Sequence, residues 1–384
     1  MTRTSAWTTA LVGWVSALSL GAGCGGIDEP VEESSGQALK AICGGVRRNL
    51  ASDNHHCGAC GHDCLGASCI SGACQVIALA RVDDGSVNNT THAANSLAVD
   101  ANNVYWTYYN RSNNYPYVHH NQGWVAKVSI GGGARSTVAG IGAEPMGLAV
   151  DATHVYFSTQ TYSPWSTSVS LNRASIGGGQ LVQIGSTSLS SSIAEDGKTV
   201  SLVGDWVYWN VGGRWLMTTP KSGGTTSKKL AAAVSINVAF NHAADHSYLW
   251  WEWNAQYPVL GRMAPNGTQS WLDLGGVEGA LLLEADAQKI YWANDTGVYS
   301  MPTTGATLPL RLAGSSGGVN CTALDDKSFY WSEEANGHDR IRKIGRNGST
   351  PTTVATLQEA CVSMAIDSKA IYVGSSDWIW KVAK

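Results

Sequence analysis

Three sets of side chains in this 384-residue sequence have the types and spacing for chemistry. The first is sulfur: Cys43, Cys57, Cys60, Cys64, Cys69 and Cys74 crowd into one short segment, Cys24 precedes them, and Cys321 and Cys361 stand far downstream. Cys57-Gly-Ala-Cys60 has the spacing of a thiol redox pair, and His55, His56 and His62 beside it are nitrogen donors of the kind zinc takes. The second set is polar: Glu144, Glu195, Glu278 and Glu359, with His92 and Asn320. If they converge, such groups could hold a divalent cation or polarise a substrate. The third is aromatic: Tyr108, Tyr109, Tyr115, Tyr117, His119, His120, Tyr162 and Trp165, joined by Trp253 and Tyr257. Rings of this kind stack on sugars or anchor protein partners. No Ser-His-Asp grouping, phosphate-binding glycine loop or metal-ligand motif stands out beyond residue 75.

A repeat positions the second and third sets. Leu97-Ala-Val-Asp100-Ala-Asn-Asn-Val-Tyr-Trp106 returns as Leu148-Ala-Val-Asp151-Ala-Thr-His-Val-Tyr-Phe157, and further copies end at Trp209, Trp251, Trp292, Trp331 and Val373. Six of the seven copies keep an aspartate six positions before that last residue; the third has Val203 there. Each unit reads as four strands: an apolar one ending at the aspartate, one carrying Val-Tyr-Trp, one running into a glycine turn, and one leading out. Four antiparallel strands repeated radially make a propeller. The seventh unit lacks a fourth strand, and Gln75-Val-Ile-Ala-Leu-Ala80 is free to supply it, leaving no open edge. Cys321 and Cys361 fall on neighbouring inner strands, where a disulfide is expected.

The fold class is therefore all-β: a seven-bladed β-propeller over 75–384, closed by pairing of both its termini and preceded by a small disulfide-rich module at 43–74. The polar set falls in the loops entering first strands, around the channel mouth, and the aromatic set in loops between second and third strands; both loop types share one face. The repeated aspartates and tryptophans read as scaffold, because a turn aspartate caps backbone N–H groups and blades pack large rings between sheets.

Composition narrows the function. A hydrophobic share of 43% supplies a core, and a net charge of −4 offers no basic field, so nucleic acid is not an expected partner. Residues 1–23 carry one early cation and an apolar run too short to stay as a membrane span, which reads as a signal peptide. An exported chain meets oxidising conditions, so the six clustered cysteines most simply form three disulfides, with 15 possible connectivities.

Leu20-Gly-Ala-Gly-Cys24 resembles the lipobox of bacterial lipoproteins, although its leucine stands four residues before the cysteine where that family has it three before. The resemblance implies a lipid on Cys24, a tether over 24–42, and, with Gly25 rather than aspartate next, an outer-membrane address. Asn54-His-His-Cys-Gly-Ala-Cys-Gly with Ser71-Gly-Ala-Cys74 resembles a short cysteine-rich module of secreted proteins and lipoproteins of myxobacteria. Val104-Tyr-Trp-Thr107 resembles the YWTD propellers of low-density-lipoprotein receptors; those have six blades and an aspartate after Trp-Thr that is absent here. The resulting expectation is a non-catalytic envelope lipoprotein, without a cofactor, that binds a glycan or protein through Tyr115, Tyr117, His119, Trp165, Glu144, Glu195, Glu278 and Glu359. The alternative is a lyase or hydrolase with a polar site at the channel mouth, a divalent cation included; virginiamycin B lyase resembles this chain in repeat style.

Overall fold

Among the described residues five repeats begin with an apolar strand that stops at an aspartate, and that aspartate builds the turn. At Asp100 one carboxylate oxygen accepts the backbone N–H groups of Asn102 and Asn103, both at 2.7 Å, while the other accepts the Tyr105 hydroxyl at 2.8 Å. The same pair of amide contacts recurs at Asp151, Asp286, Asp325 and Asp367. The tyrosine contact recurs at Asp325 and Asp367. The side chain thus satisfies two donors that a tight turn leaves bare, and the second strand starts in a fixed direction. The third unit, with Val203, solves the same problem differently: Gly204 takes a left-handed φ of 51°, and Val203 pairs directly with Trp206 across a two-residue turn.

The computed structural model describes residues 39–83, 93–110, 122–163, 166–189, 200–211, 215–224, 228–232, 248–253, 258–263, 268–275, 282–335 and 337–384. Met1–Ala38 form a separate unit, so Cys24 and the signal segment lie outside these residues. Among the described residues seven propeller sheets are present, six of four strands and one of three, all antiparallel and, in the first six, with neighbours in chain order. The seventh runs Ser363–Ile366, Ala370–Gly374, Trp378–Ala383 and then Ile77–Arg81, with Trp378 opposite Arg81 and Lys381 opposite Ile77. First strands touch one another around an axis, from blade seven through one and two to three, and from five through six to seven. In six blades the third and fourth strands slip register by one residue at matching positions, as between Val125 and Ala126. Such bulges add twist to the outer edge.

Packing follows the repeat. Trp106, Phe157, Trp209, Trp292, Trp331 and Val373, the last residues of six signature copies, have no solvent exposure. Burying each tryptophan stabilises the stack by about 4–6 kcal/mol of transfer free energy, before ordering costs. Cations just past the third strand tie a blade to the one before it: Lys221 reaches Asp151 at 3.1 Å, Lys384 reaches Asp325 at 2.7 Å, and Arg346 pairs with Asp286. Cys321 and Cys361 form a disulfide with Cα atoms 6.1 Å apart, joining the entrances to the first strands of blades six and seven.

The module upstream has two short antiparallel pairs, Lys40–Cys43 with Val46–Asn49 and Cys69–Ile70 with Ala73–Cys74. Its disulfides are Cys43–Cys60, Cys57–Cys69 and Cys64–Cys74. The sulfurs of Cys57, Cys64 and Cys74 lie within 4.8 Å of one another, yet each is bonded to another cysteine and cannot serve a metal or redox site as a thiolate. This sulfur core packs on Ala383 of the last blade. Among the described residues no helix is long and apolar enough to cross a membrane.

Candidate functional site

The face opposite the aspartate turns carries the loops that enter first strands and join second to third strands. Among the described residues blade two has the longest ladder between second and third strands. Its second and third strands, His154–Ser163 and Ser166–Ser175, pair residue for residue over ten positions, against six in blade three. Both ladders start at the aspartate turn, so the four extra pairs all extend the loop end, by about 13 Å at the usual strand rise. Unit two's added length is thus mostly hairpin rather than loop. A Ser/Thr-rich stretch reads as loop by composition, but Val169 and Leu171 alternate inward, and Asn172 donates to the Thr159 hydroxyl at 3.0 Å. The fourth strand, Val182–Leu189, follows the hairpin upward, pairing Leu189 with Thr167.

Among the aromatic candidates, Tyr108 belongs to the scaffold. It is 3% exposed, stacks on Trp124 at 5.1 Å, and its hydroxyl accepts from Arg135 at 2.6 Å. Tyr115, Tyr117, His119, His120, Trp165 and Tyr257 lie outside the described residues, as do the side chains of Tyr162 and Trp253. The strands that lead to Tyr115 and Trp165 both end on the loop face, whereas the cysteine module sits against the aspartate-turn face of blades six and seven.

Three of the polar candidates, Glu144, Asn320 and Glu359, lie among the described residues. Glu144 is 3% exposed within its strand, opposite Gln160. Glu359 accepts from the Ser375 hydroxyl and from the Asp377 N–H, which shapes the last hairpin of blade seven. Asn320 donates to Asp339 at 3.2 Å, and Asp339 also accepts the Cys361 N–H at 2.8 Å, so these groups fasten the disulfide-bearing loops. Glu333 beside them accepts from Ser316 and from Arg342 at 2.8 Å. Burial pushes its carboxyl up, but the Ser316 donors and the Arg342 guanidinium outweigh that and hold it below the usual range. His92, Glu195 and Glu278 lie outside the described residues.

A carboxylate not singled out from sequence lies on a first strand. Glu284, on the first strand of blade five, accepts from the Thr322 hydroxyl on the first strand of blade six at 3.3 Å. Burial pushes its pKa up to about 7, with the Thr322 hydrogen bond working weakly the other way. A carboxyl that changes charge near neutral pH can take up or release a proton at the channel wall. The repeat could have revealed it: the corresponding residues in the other units are Ala98, Ala149, Ser201, Ala243, Ala323 and Ala365.

No protein-family profile matches the chain, and no curated protein matches it. Similar solved structures exist. The β-propeller domain of the Trilobed protease from Pyrococcus furiosus, described as having an open velcro topology, covers 77% of this chain and 94% of its own at 6% identity, with a TM-score of 0.51. The computationally designed Ika8 protein covers 80% of this chain and 99% of its own at 13% identity, with a TM-score of 0.50. A chain of the nidogen/laminin complex aligns over 70% of this chain and 93% of its own at 14% identity, with a TM-score of 0.45. At these identities the likeness concerns the fold alone. Four disulfides mark a protein that folds under oxidising conditions, outside the cytoplasm. The chain is an exported all-β protein, a seven-bladed β-propeller with a disulfide-rich module before it.

Proposed function

We propose that this is a non-catalytic binding protein of the cell envelope that takes a glycan or protein ligand on its loop face, beside the raised hairpin of blade two. That hairpin is the observation that carries the reading. A ten-pair ladder carries the hairpin ends Ser163 and Ser166 beyond the level of blade three, on the face where propellers vary their loops. Tyr115, Tyr117, His119 and Trp165 are the contacts we assign, with Cys24 as the lipid-bearing residue and the outer membrane as the address. Replacing Tyr115, Tyr117 and Trp165 together by alanine abolishes retention on immobilised envelope glycans or on a captured partner and leaves the thermal midpoint unchanged. Retention equal to wild type would refute the assignment. Glu284 favours a second reading, an enzyme working at the channel, because its carboxyl titrates near neutrality. Under that reading Glu284→Gln removes a turnover found by substrate screening and leaves retention intact.

A further inference from the structure

The cysteine-rich module and the propeller enclose a cleft of about 720 Å³ on the aspartate-turn face, away from the loops discussed above. Its walls are charged. Ammonium groups of Lys327, Lys343, Lys369 and Lys384 face the carboxylates of Asp63, Asp325 and Asp326. Lys384 and Asp325 neutralise each other at 2.7 Å. Asp63 is shared: it accepts from His55 at 2.9 Å, raising the histidine pKa, and Lys369 helps to hold it ionised. Among the described residues the ammonium groups of Lys327, Lys343 and Lys369 have no hydrogen-bonded or ion-paired carboxylate. Lys327, Lys343 and Lys369 therefore bring three ammonium groups without a carboxylate partner to one cleft.

His62 lines the module side of the cleft; its Nδ1–H donates to the Cys57 carbonyl at 2.7 Å, and Nε2 is buried.

We propose that this cleft binds a small soluble ligand carrying a phosphate monoester. A phosphate monoester bears about −1.5 to −2 charges at neutral pH and three acceptor oxygens, so it can engage Lys327, Lys343 and Lys369 together, whereas a carboxylate brings one charge and two oxygens. Lysines suit this role as point charges that need no bidentate geometry. The cleft volume falls in the range of small-molecule sites and accommodates a phosphorylated sugar.

Calorimetric titration of the full chain with glucose 6-phosphate and with glucose tests the proposal. Saturable binding is expected for the phosphate and not for the sugar, and it should weaken as salt is raised. Lys327 and Lys369 are exposed and outside the core, so Lys327→Ala with Lys369→Ala should keep the thermal midpoint and weaken binding at least tenfold. Lys327→Arg with Lys369→Arg should restore most of it. Vesicles of phosphatidylcholine with phosphatidic acid distinguish a lipid source. Vesicle binding that glucose 6-phosphate competes away supports the cleft, and vesicle binding without any response to glucose 6-phosphate overturns the soluble ligand. Absent saturation, equal binding of glucose, or an unaltered affinity in the double alanine variant also overturns it.

Discussion

Glu284 and the turn aspartates move stability in opposite directions with pH. The Glu284 carboxyl rises from an ordinary 4.5 to about 7 on folding, so the native state holds its proton more tightly than the unfolded chain. Stability therefore falls as pH rises from about 4.5 through about 7 and loses nothing further from this group above that. Glu284→Gln should flatten this window and raise the unfolding free energy at pH 8 by on the order of 3 kcal/mol, measured by urea titration at pH 5 and pH 8. An unchanged pH profile would show that Glu284 is not buried against Thr322. Asp367 behaves oppositely. Burial pushes its carboxyl up, but the N–H groups of Lys369 and Ala370 and the Tyr372 hydroxyl outweigh this and hold it low. Its contribution is present above the ordinary aspartate range and fades as pH falls through its depressed value. Asp367→Ala removes the acceptor of three donors and should cost about 2–4 kcal/mol at pH 7, read from the denaturation midpoint. The aspartates were legible because they recur with the repeat. Glu284 departs from that pattern, and attention to conserved-looking positions passes over the one unit that differs.

Blades are joined edge to core by few directed contacts, which makes those contacts measurable. Lys221 reaches back from blade three to Asp151 with both groups about a quarter exposed, and its ammonium also lies 5.8 Å from the Tyr156 ring. Lys221→Met keeps the aliphatic stem and should cost about 1 kcal/mol, less at high salt. The Cys321–Cys361 disulfide closes a sequence separation of 40 residues. Cys321→Ser with Cys361→Ser should lower the unfolding free energy by roughly 2–4 kcal/mol through the entropy returned to the unfolded chain. Strand order was readable at this scale because aspartate and glycine punctuate every hairpin. The height of blade two was not, since 158–170 is mostly Ser, Thr and Gln, and only pairing between its own two strands shows it as ladder. Tyr108 misleads for a related reason: an aromatic near a strand end looks like loop decoration until Trp124 is found against it.

At the scale of the whole molecule the ring depends on Ile77–Arg81, the outer strand of the last sheet. Removing residues through Arg81 should leave the edge of Trp378–Ala383 unpaired and give a chain that self-associates in size-exclusion chromatography, whereas removal only through Ala38 should leave a monodisperse ring. The segment beside the module closes the last sheet. Seven units were visible in sequence because each carries its own signature. The charged cleft was not, because its walls come from the module, one turn of blade six and the last residues of blade seven, and no local pattern joins them. The closing strand also sets an order of events. Ile77–Arg81 precedes every blade in the chain, whereas its partner Trp378–Ala383 comes after six complete units. The three disulfides of the module span 17, 12 and 10 residues and need nothing downstream. The module can therefore knot itself while the ring is still being delivered. It then holds a ready-made edge for Trp378–Ala383, so the ring can close only once that strand has been delivered, and the cleft first exists at that moment.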